Sequence, residues 1–514
     1  MSIASEISRI AQNVSDALTA IANKGVTVPQ GSNSDDLATL IGQIQQGGTG
    51  AISIVDTPDS AGGTVRTITA VDISDTTAVA SDVASGKYFY TADGTKTTGT
   101  ASSGAAPQKQ VNFIDYDGTI LYSYTAQEAN ALTALPANPS HTGLTAQGWN
   151  WSLAQIKAQL TAMPDDPVWV GQMYITQSGD TEIDVHFPDA ARLSPILTIA
   201  VNGTITVDWG DNTTAETVTG TSTSSRKAVP HTYATPGDYT IKVHVVSGNF
   251  RFYGNTSYLI LRKDTTSTSN RVYANCVRSV RLGSGITIIN SYAFYYCMSL
   301  EYITIPSGVT EFGGTAFQYC YNLKSITIPS TVASIGQFAL WSCPSLISVS
   351  IPGGVTRIET YAFNTCYSLD SITIPSTVTT IGDYAFTNCY GLKSITIPSG
   401  VTSIPISIFG GCASLQTIKI PDTVTSMSNQ SLTGCVSLTS ITIPSAVTSI
   451  GNNAFEYCYG VAEYHVLPTT PPTLGTNVFQ SISSDCVIYV PTASLADYQA
   501  AENWSAYASY MQGE

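Results

Sequence analysis

Hydrophobic residues follow three different spacings along the chain, and each spacing predicts a different kind of structure. Near the start they recur at alternating steps of three and four, which predicts an amphipathic helix or a coiled-coil seam. From about Val168 to Val246, β-branched residues alternate with turn residues, which predicts short strands. From Cys276 to Cys458 one apolar pattern returns every 23 residues. The seam at the start consists of Ile3, Ile7, Ile10, Val14, Leu18 and Ile21.

The repeated pattern has the form SLxSITIPSxVTSIGxxAFxxC and keeps its period without a slip. The same step of 23 separates the isoleucines that precede each proline, and it also separates a row of Phe and Leu residues. A fixed period in the twenties is typical of a solenoid, whose turns bury their apolar residues only against neighbouring turns. The cysteines that keep this step are Cys297, Cys320, Cys343, Cys366, Cys389, Cys412, Cys435 and Cys458.

The spacing within one turn predicts how that turn folds. Ile326 and Ile328 alternate with Thr327, which is the period of a short strand with one buried face. Pro329 offers no N–H group to a ladder and therefore ends the strand. Equivalent strands should stack as parallel neighbours about 4.8 Å apart, so about nine turns would form a rod roughly 40 Å long. Residues expected to point inward after the strand are Val332, Ile335, Ala339, Leu340, Cys343 and Leu346.

The motif IPxxVxxIGxxAFxxC resembles the leucine-rich repeats of the bacterial surface-antigen type. The resemblance implies a solenoid with 23-residue turns over residues 249–460. The ending IYVPTASLADYQAAENWSAY is similar to the cap of the same family, which implies a cap over 461–514 with Trp504 and Tyr507 packed on the last turn. Such repeats are known chiefly as adhesive and binding scaffolds, so the resemblance implies binding rather than catalysis.

Residues 1–48 predict two helices, the second of them capped by Ser34. The segment resembles the N-terminal part of tail-fibre proteins from phages of Gram-positive gut bacteria, in which a helix, a KGVTVP turn and a DDLAxLIxQI helix follow in order. The resemblance implies attachment to tail or baseplate proteins and to sister chains. Any helical hairpin with an exposed seam is the alternative. Helices this short bury little surface alone, so we expect a homo-oligomer, as a trimer like other phage fibres.

Residues 49–106 predict a small β module followed by a linker. The stretch ASDVASGKYFYTADGTKTTGT resembles a module that recurs in the same phage fibres. Asp93-Gly94 predicts a hairpin turn between the strands 88–90 and 96–98. The composition of ASSGAAPQKQ, at 101–110, is that of a linker.

Residues 107–163 contain the one enzyme-like motif, VNFIDYDGTIL. It resembles the nucleophile motif of haloacid-dehalogenase-type phosphatases, which implies Asp115 as nucleophile and Asp117 as acid and base. The alternative is a strand entering a hairpin, with Asp117-Gly118 at its turn. The pattern DYDGTxL…PxxPxxxGxTxxGW is also similar to a small β-grasp-like bacterial surface repeat. We therefore expect a β-grasp-like module here and no enzyme.

Residues 164–248 resemble the polycystic-kidney-disease (PKD) type of immunoglobulin-like sandwich. Asn212 stands where that family usually has glycine. The resemblance implies a buried Trp209. Asp208, Asp211 and Asp238 are candidate Ca²⁺ ligands, but turn chemistry explains them equally well, so neither a metal nor a cofactor is predicted. The landmarks are Trp209-Gly210-Asp211, His231, Tyr233 and Gly237-Asp238-Tyr239.

Composition and charge narrow the possible partners. The net charge is −15 and no cluster of Lys or Arg occurs, which argues against nucleic acid and anionic membranes as partners. No apolar run is long enough to predict a membrane span, and the N-terminus lacks the features of a signal peptide. The ten cysteines include no CxxC pair, so reduced, buried thiols are expected rather than zinc ligands. The five histidines are scattered and no catalytic motif accompanies them.

Two surface rows of the predicted solenoid are candidates for binding. A hydroxyl row follows the strand centres, with a parallel polar row of Ser325, Ser348, Ser371, Ser394, Thr417 and Ser440. An aromatic row flanks the cysteines, and stacked rings beside hydroxyl groups suit sugars. The alternative is structural: corner tyrosines cover the backbone, and threonine favours strands. The hydroxyl row is Thr304, Thr327, Ser350, Thr373, Thr396, Lys419 and Thr442. The aromatic row is Tyr296, Tyr319, Tyr321, Trp341, Tyr367, Tyr390, Tyr457 and Tyr459.

Taken together, the sequence predicts a mainly β, multidomain protein without enzymatic activity. We expect a phage or prophage tail fibre that binds a bacterial surface receptor, a glycan or a protein, through its solenoid. Such a protein is made in the host cytoplasm, released by lysis and carried on the virion, which fits the absence of a predicted signal peptide. The alternative is a bacterial cell-surface adhesin, which requires both a signal and an anchor.

Overall fold

The computed structural model describes strands 50–58, 64–72, 88–90 and 96–98, and residues 110–514 apart from 165, 255–258 and 264–270. The chain forms two compact units, residues 1–108 and 109–514. In the first unit, β1 (Gly50–Pro58) pairs antiparallel with β2 (Thr64–Asp72). β3 (Tyr88–Tyr90) pairs antiparallel with β4 (Lys96–Thr98), as the predicted hairpin requires. The predicted helices of residues 1–48 lie outside the described residues.

The second unit begins with a β-grasp-like module, residues 110–176, built on a mixed four-stranded sheet. The strand order is β6-β5-β8-β7, and the two central strands, β5 and β8, run parallel. The fourth strand of the module therefore lies beyond the boundary predicted at 163. Its elements are β5 (Val111–Ile114), β6 (Ile120–Tyr124), α1 (Ala126–Ala131), β7 (Leu144–Trp149), α2 (Leu153–Ala162) and β8 (Val168–Thr176).

Both helices of this module begin at a capping box. The Thr125 hydroxyl accepts a hydrogen bond from the Glu128 backbone, and the Glu128 carboxylate accepts one from the Thr125 N–H. Ser152 and Gln155 make the same reciprocal pair at the start of α2. These local bonds satisfy N–H groups that a helix start leaves without partners. The helices then pack over a small core that includes Phe113.

An antiparallel sheet follows, and it differs from the two-sheet sandwich predicted for residues 164–248. The long strands pair in the order β11-β10-β12-β9, and β9 then pairs with β14 (Val277–Arg281), the first strand of the solenoid. The physical reason lies in the core, because the apolar residues of these strands join the solenoid interior in one continuous cluster. The strands are β9 (Thr181–Phe187), β10 (Ile196–Asp208), β11 (Glu216–Pro230), β12 (Gly237–Phe252) and β13 (Leu261–Arg262).

A charged cluster fastens this sheet to the solenoid. The Arg281 guanidinium donates to Glu182 at 2.9 Å and to both oxygens of Asp184 at 2.6 and 3.0 Å. Burial opposes ionisation of Asp184, but hydrogen bonds from Arg281, Ser279 and Thr240 hold the pKa of its carboxyl below the usual value. A bidentate pair of this kind fixes the register between β9 and β14.

Residues from 277 onward form a solenoid of about ten turns of about 23 residues, close to the predicted nine. Each turn contributes a strand to a parallel strand row, except near residue 372, where no strand forms. The strand row is β14 (Val277–Arg281), β16 (Tyr302–Thr304), β18 (Ser325–Thr327), β20 (Ser348–Ser350), β23 (Ser394–Thr396), β25 (Thr417–Lys419), β27 (Ser440–Ile443), β29 (Glu463–Val466) and β31 (Val487–Val490).

A second row of two-residue strands follows a few residues after each proline. Its members also pair in parallel with a step of 23, as in Ile335 opposite Ile358. The row is β15 (Ile288–Ile289), β17 (Glu311–Phe312), β19 (Ser334–Ile335), β21 (Arg357–Ile358), β22 (Thr380–Ile381), β24 (Ser403–Ile404), β26 (Ser426–Met427), β28 (Ser449–Ile450) and β30 (Thr473–Leu474). A short helix, α3 (Arg271–Ala274), precedes the first turn.

The buried cysteines of the repeats also donate hydrogen bonds between turns. The thiol of Cys389 donates to the Phe363 carbonyl of the preceding turn at 3.3 Å, and Cys412 donates to Phe386 at 3.2 Å. The phenylalanines themselves stack, with the Phe363 and Phe386 ring centres 5.3 Å apart. Every turn from Cys320 to Cys458 repeats the thiol bond. The cysteine row therefore links successive turns without disulfides.

Two positions in each turn adopt left-handed backbone, and most of them are not glycine. They lie four residues apart, as in Tyr292 and Tyr296, with φ values of 63° and 64°. Left-handed backbone is unfavourable for residues with a Cβ, so each such position needs compensating contacts. The first set is Tyr292, Thr315, Phe338, Tyr361, Tyr384, Ser407, Gln430 and Asn453, and the second is Tyr296, Tyr319, Ser342, Thr365, Asn388, Gly411, Gly434 and Tyr457.

The C-terminal cap closes the solenoid core. α4 (Leu495–Ala500) is followed by Trp504, which is buried and donates from its indole to the Pro472 carbonyl at 2.8 Å. Phe479 of the last turn lies 5.6 Å from Trp504 and 5.2 Å from Tyr507, as the sequence predicted. The final strand, β32 (Met511–Gly513), adds in parallel to β31.

The β-grasp-like module lies directly on the strand row. Asn150 donates to the Ile328 carbonyl at 2.8 Å, and the Gly171 N–H donates to the Ser350 hydroxyl at 2.9 Å. Farther along, Gln159 accepts from the Ser376 N–H at 2.8 Å. A Cβ on Gly171 would stand 2.2 Å from the Thr327 hydroxyl, so only glycine allows this approach.

Among the described residues, no helix has the length and apolar character needed to cross a bilayer. No group of three or more His, Cys, Asp or Glu side chains in that part of the chain is arranged to hold a metal ion.

Thiol ionisation should make the solenoid sensitive to alkali. Burial raises the pKa of Cys366, Cys412 and Cys458 to about 12. Because unfolded thiols titrate near ~8.5, stability should be complete below that pH and decrease as the pH rises toward about 12. Urea unfolding at a series of pH values measures the decrease. Rapid reaction of the native thiols with Ellman's reagent at pH 8 would contradict their burial.

Adding one methyl group at Gly171 should weaken the contact between the module and the solenoid. The Gly171→Ala side chain overlaps Thr327, so the free energy of unfolding should fall by about 1–3 kcal/mol. Gly308→Ala is the matched control, because nothing lies within 4 Å of its added Cβ. Urea titration of both variants decides the matter, and equal stabilities would show that the module does not depend on this approach.

Candidate binding surfaces of the solenoid

The hydroxyl row predicted from the sequence is covered over the first half of the solenoid. Thr304, Thr327, Ser350 and Thr373 are buried, as are Ser325 and Ser348 beside them. The β-grasp-like module buries these residues, because Ser325 donates a hydrogen bond to the Tyr116 carbonyl and Ser350 donates one to the Asn150 side chain. The row is exposed only from Lys419 and Thr442 onward. The prediction that the hydroxyl row forms a continuous binding surface was therefore wrong.

Four residues of the predicted aromatic row come together on the surface of the first turns. The rings of Tyr296 and Tyr319 lie 4.5 Å apart, and Tyr319 lies 5.6 Å from Trp341. Tyr321 meets Tyr319 edge to face at 6.1 Å. The guanidinium of Arg271 lies 3.9 Å from the centre of the Tyr296 ring, in a cation–π contact. These contacts join three successive turns.

Five further aromatic residues extend this surface, and sequence reasoning missed them. Trp341 contacts Phe338 at 5.3 Å, and Phe338, Tyr361 and Tyr384 form a column with ring centres 5.0 and 4.7 Å apart. The sequence pattern that could have predicted them is the step of 23 residues from Tyr292, whereas the predicted aromatic row included only residues that flank the cysteines. We call the whole set the aromatic string: Tyr292, Tyr295, Tyr296, Tyr319, Tyr321, Phe338, Trp341, Tyr361 and Tyr384.

The other four predicted residues form two separate pairs. The rings of Tyr367 and Tyr390 are parallel within 2° and lie 4.8 Å apart. Tyr457 and Tyr459 lie 6.0 Å apart at 42°. All four are exposed, with Tyr390 at 46% and Tyr459 at 56%. Exposed tyrosines on a monomer surface are candidates for contact with a ligand.

Three phenols of the string, those of Tyr295, Tyr319 and Tyr361, are neutral at physiological pH because their pKa values are raised. Burial raises the pKa of Tyr295 to about 12, with further contributions from Tyr296 and Tyr319. Burial likewise raises the pKa of Tyr319 and of Tyr361. The surface therefore presents half-buried rings together with hydroxyl groups that both donate and accept hydrogen bonds.

Asp115 has no free oxygen with which to act as a nucleophile. It is 4% exposed, Tyr174 donates to its Oδ1 at 2.7 Å, and Nε2 of His141 lies 2.6 Å from its Oδ2. Asp117 accepts from the Thr119 N–H at 2.9 Å, which is a turn contact. The geometry matches the hairpin alternative rather than a phosphatase site.

The candidate calcium ligands are likewise engaged in local contacts. Asp211 accepts from Thr213 and lies 2.8 Å from Nε2 of His231. Asp238 lies 2.7 Å from Nδ1 of His186, and Asp208 accepts from the Gly210 N–H. The predicted burial of Trp209 is found, and its ring stacks on His231 at 4.6 Å.

Comparison with known proteins identifies the repeats. Residues 245–370 and 356–485 match the family model described as BspA type leucine rich repeat region, in six copies. No curated protein matches the chain. The solenoid therefore consists of BspA-type leucine-rich repeats.

Several solved structures resemble part of the chain at low TM-scores. A leucine-rich repeat protein from Bacteroides ovatus is 24% identical over 42% of this chain and 66% of its own length, with a TM-score of 0.34. The T. pallidum leucine rich repeat protein is 25% identical over 40% of this chain and 81% of its own, with a TM-score of 0.29. A leucine rich cell surface protein from Faecalibacterium prausnitzii is 26% identical over 40% and 74%, with a TM-score of 0.25.

Proposed function

We propose that this protein is an adhesion protein whose solenoid binds a neutral glycan on a surface through the aromatic string. The observation that carries the proposal is the string itself, in which ring contacts run without a break from Tyr292 to Tyr384. Repeats of the BspA type belong to bacterial surface proteins and are typically not enzymes. The likeness of the repeats to those of bacterial surface proteins supports binding, rather than catalysis, as the activity of the solenoid.

The chemistry of the string suits sugar rings. A pyranose presents an apolar C–H face edged by hydroxyl groups, and it packs on an aromatic face while its hydroxyls bond nearby polar groups. The phenols of Tyr295, Tyr319 and Tyr361 remain protonated and therefore supply both donors and acceptors. A chain of net charge −15 repels a strongly anionic polymer, so a neutral ligand is favoured.

Adhesion by such a surface depends on repetition. Each aromatic contact is individually weak, and several contacts along one chain act together once the first is made. The homo-oligomer expected from the N-terminal seam would multiply the effect further. Light scattering of the intact chain and of a chain lacking residues 1–110 measures this contribution, and a monomer in both would remove the assembly role.

An adhesion protein of this kind could be carried by a phage or by a bacterial cell, and we call these its two carriers. The resemblance of residues 1–48 supports a phage or prophage tail fibre, and the BspA-type repeats equally support a bacterial cell-surface adhesin. We propose the fibre. Gold-labelled antibody against residues 249–514 distinguishes the carriers, because a fibre places label on released phage tails and an adhesin places it on intact cells. Label on intact cells alone would exclude the fibre.

Replacing two aromatic residues of the string should weaken glycan binding without disturbing the fold. Tyr319→Ser and Trp341→Asn introduce the residues that stand one turn later, Ser342 and Asn364. Losing two ring contacts should weaken binding by about tenfold to a hundredfold. Affinity electrophoresis in gels containing neutral bacterial polysaccharide measures the change.

A matched control for this variant removes an exposed apolar side chain elsewhere. Ile347 is 54% exposed, and Ile347→Lys introduces the residue of the preceding turn, Lys324. The control should migrate like the unchanged protein. Equal retardation of all three proteins would mean that the aromatic string is not the binding surface.

A further inference from the structure

A cleft lies where the β-grasp-like module, the antiparallel sheet and the first turns of the solenoid meet. Its volume of about 370 Å³ is in the range of small-molecule pockets. A Cβ added to Gly143 would find no atom within 4 Å, so this part of its wall faces open space. We call it the junction cleft, and it is lined by Tyr116, residues 141–144, Glu182, Arg281 and Tyr302.

Three of the lining residues bring aromatic rings together in the junction cleft. The centre of the Tyr116 ring lies 5.2 Å from that of Tyr302 and 5.2 Å from that of His141. The ring planes are inclined by 53° and 75°, so the rings form a corner rather than a flat stack. All three residues are half-buried, and part of their ring surface therefore remains accessible to a ligand.

The buried carboxylate of Asp115 holds two of these rings in place. Nε2 of His141 lies 2.6 Å from its Oδ2, and the Tyr116 N–H donates to its Oδ1 at 2.8 Å. The hydroxyl of Tyr174, whose ring contacts both His141 and Tyr116, donates to the same Oδ1 at 2.7 Å. Rings that are fixed before binding lose little freedom when a ligand enters, so the corner is preorganised.

Tyr302 departs from the pattern of the repeats. The turns on either side carry Ser279 and Ser325 at the same position, and β14 pairs Ser279 directly with Tyr302. From 279 to 463 in steps of 23, position 302 is the only one with an aromatic residue. The fold of a turn therefore does not require a ring here, and the ring stands where it meets Tyr116 of the module.

The cations near the junction cleft are already balanced by carboxylates. The Arg281 guanidinium donates to Glu182 through Nε and to Asp184 through both of its terminal nitrogens. Lys242 lies 3.8 Å from Glu182. These two cations and two carboxylates leave no excess of positive charge for an anionic ligand.

Two further carboxylates make the surroundings of the rings negative. Burial raises the pKa of Tyr116, and Tyr302, Asp115 and Asp117 raise it further, whereas the opposing effect of Arg281 is smaller. The electrostatic field at the Tyr116 ring is therefore negative. On a chain whose net charge is −15, such a field favours a cation over an anion.

We infer that the junction cleft binds a small organic cation, an alkylated ammonium group that packs against the rings of Tyr116, Tyr302 and His141. Aromatic rings attract a cation through their quadrupole, and apolar methyl groups suit a corner of half-buried rings. The neighbouring carboxylates balance the charge of the ligand. The inference goes beyond the proposed function, because none of these three residues belongs to the aromatic string.

The charge of the ligand is tested on the unchanged protein. Choline and its uncharged isostere 3,3-dimethylbutan-1-ol have nearly the same shape, so the pair separates attraction of a cation from apolar contact. Titrations followed by saturation-transfer NMR should give choline an affinity at least about tenfold higher. Equal affinities would overturn the inference, and so would the absence of saturation transfer to choline.

Substitutions at Tyr302 test the position of the site. Tyr302→Ser introduces the residue of both neighbouring turns and should weaken choline binding by about threefold to thirtyfold, because one ring of the corner is lost. Tyr302→Phe keeps the ring and should bind within about twofold of the unchanged protein. Tyr459→Ser is the matched control, because Tyr459 is 56% exposed on the same solenoid and lies outside the junction cleft.

Thermal unfolding verifies the fold of each variant before its affinity is compared. Equal affinities of the Tyr302→Ser and Tyr459→Ser proteins for choline would overturn the junction cleft as the site. Loss of choline binding in the Tyr319→Ser, Trp341→Asn variant, with full binding by Tyr302→Ser, would place the cation on the aromatic string and would also overturn the inference. Each of these results leaves the proposed function in place, because that function is measured with neutral polysaccharides.

Discussion

Backbone hydrogen bonding between successive turns is the constraint on which this structure depends. The bonds hold each residue beside the residue 23 positions away, as in Ser325 opposite Ser348 and Ile404 opposite Met427. A residue type that recurs at this step therefore becomes a continuous row, inside or outside. Inside, the thiol of Cys366 reaches the Leu340 carbonyl at 3.3 Å, so the interior row also carries hydrogen bonds. Outside, the same rule places tyrosines ring to ring.

The modules that pack on the solenoid determine which part of its surface remains accessible to a ligand. The β-grasp-like module covers the strand row with polar contacts, in which Asn150 and Gly171 meet Ser350. The antiparallel sheet closes the first turn through Arg281, and the cap closes the last through Trp504. The rings of the aromatic string remain partly accessible, and Tyr321 is exposed. Their accessibility supports the proposal that this side of the solenoid binds a ligand.

Sequence periodicity predicted the solenoid and its strands because those features depend on neighbours at one fixed distance, whereas the cap was predicted from its resemblance to a family ending. It did not predict the docking of the module, because Asn150 and Ser350 carry no pattern that relates them. The single antiparallel sheet was missed for a similar reason, since the pairing of Glu182 with Arg281 is a long-range contact. For the aromatic side, residues beside the cysteines were predicted, whereas Phe338 and Tyr361 were missed because Thr315 interrupts their row and leaves no unbroken aromatic repeat from Tyr292.

The residue type at the left-handed positions can change from turn to turn with little effect on the stability of the solenoid. Backbone of this kind costs about 1–2 kcal/mol per residue, and a stacked ring pair returns about 0.5–1.5 kcal/mol. A stacked ring therefore offsets much of the backbone cost at Tyr384, whereas Ser407 and Gln430 occupy the same position without a ring, so the fold tolerates both kinds of residue there. Selection for a ligand can then act on these rows while the buried cysteines and phenylalanines remain unchanged.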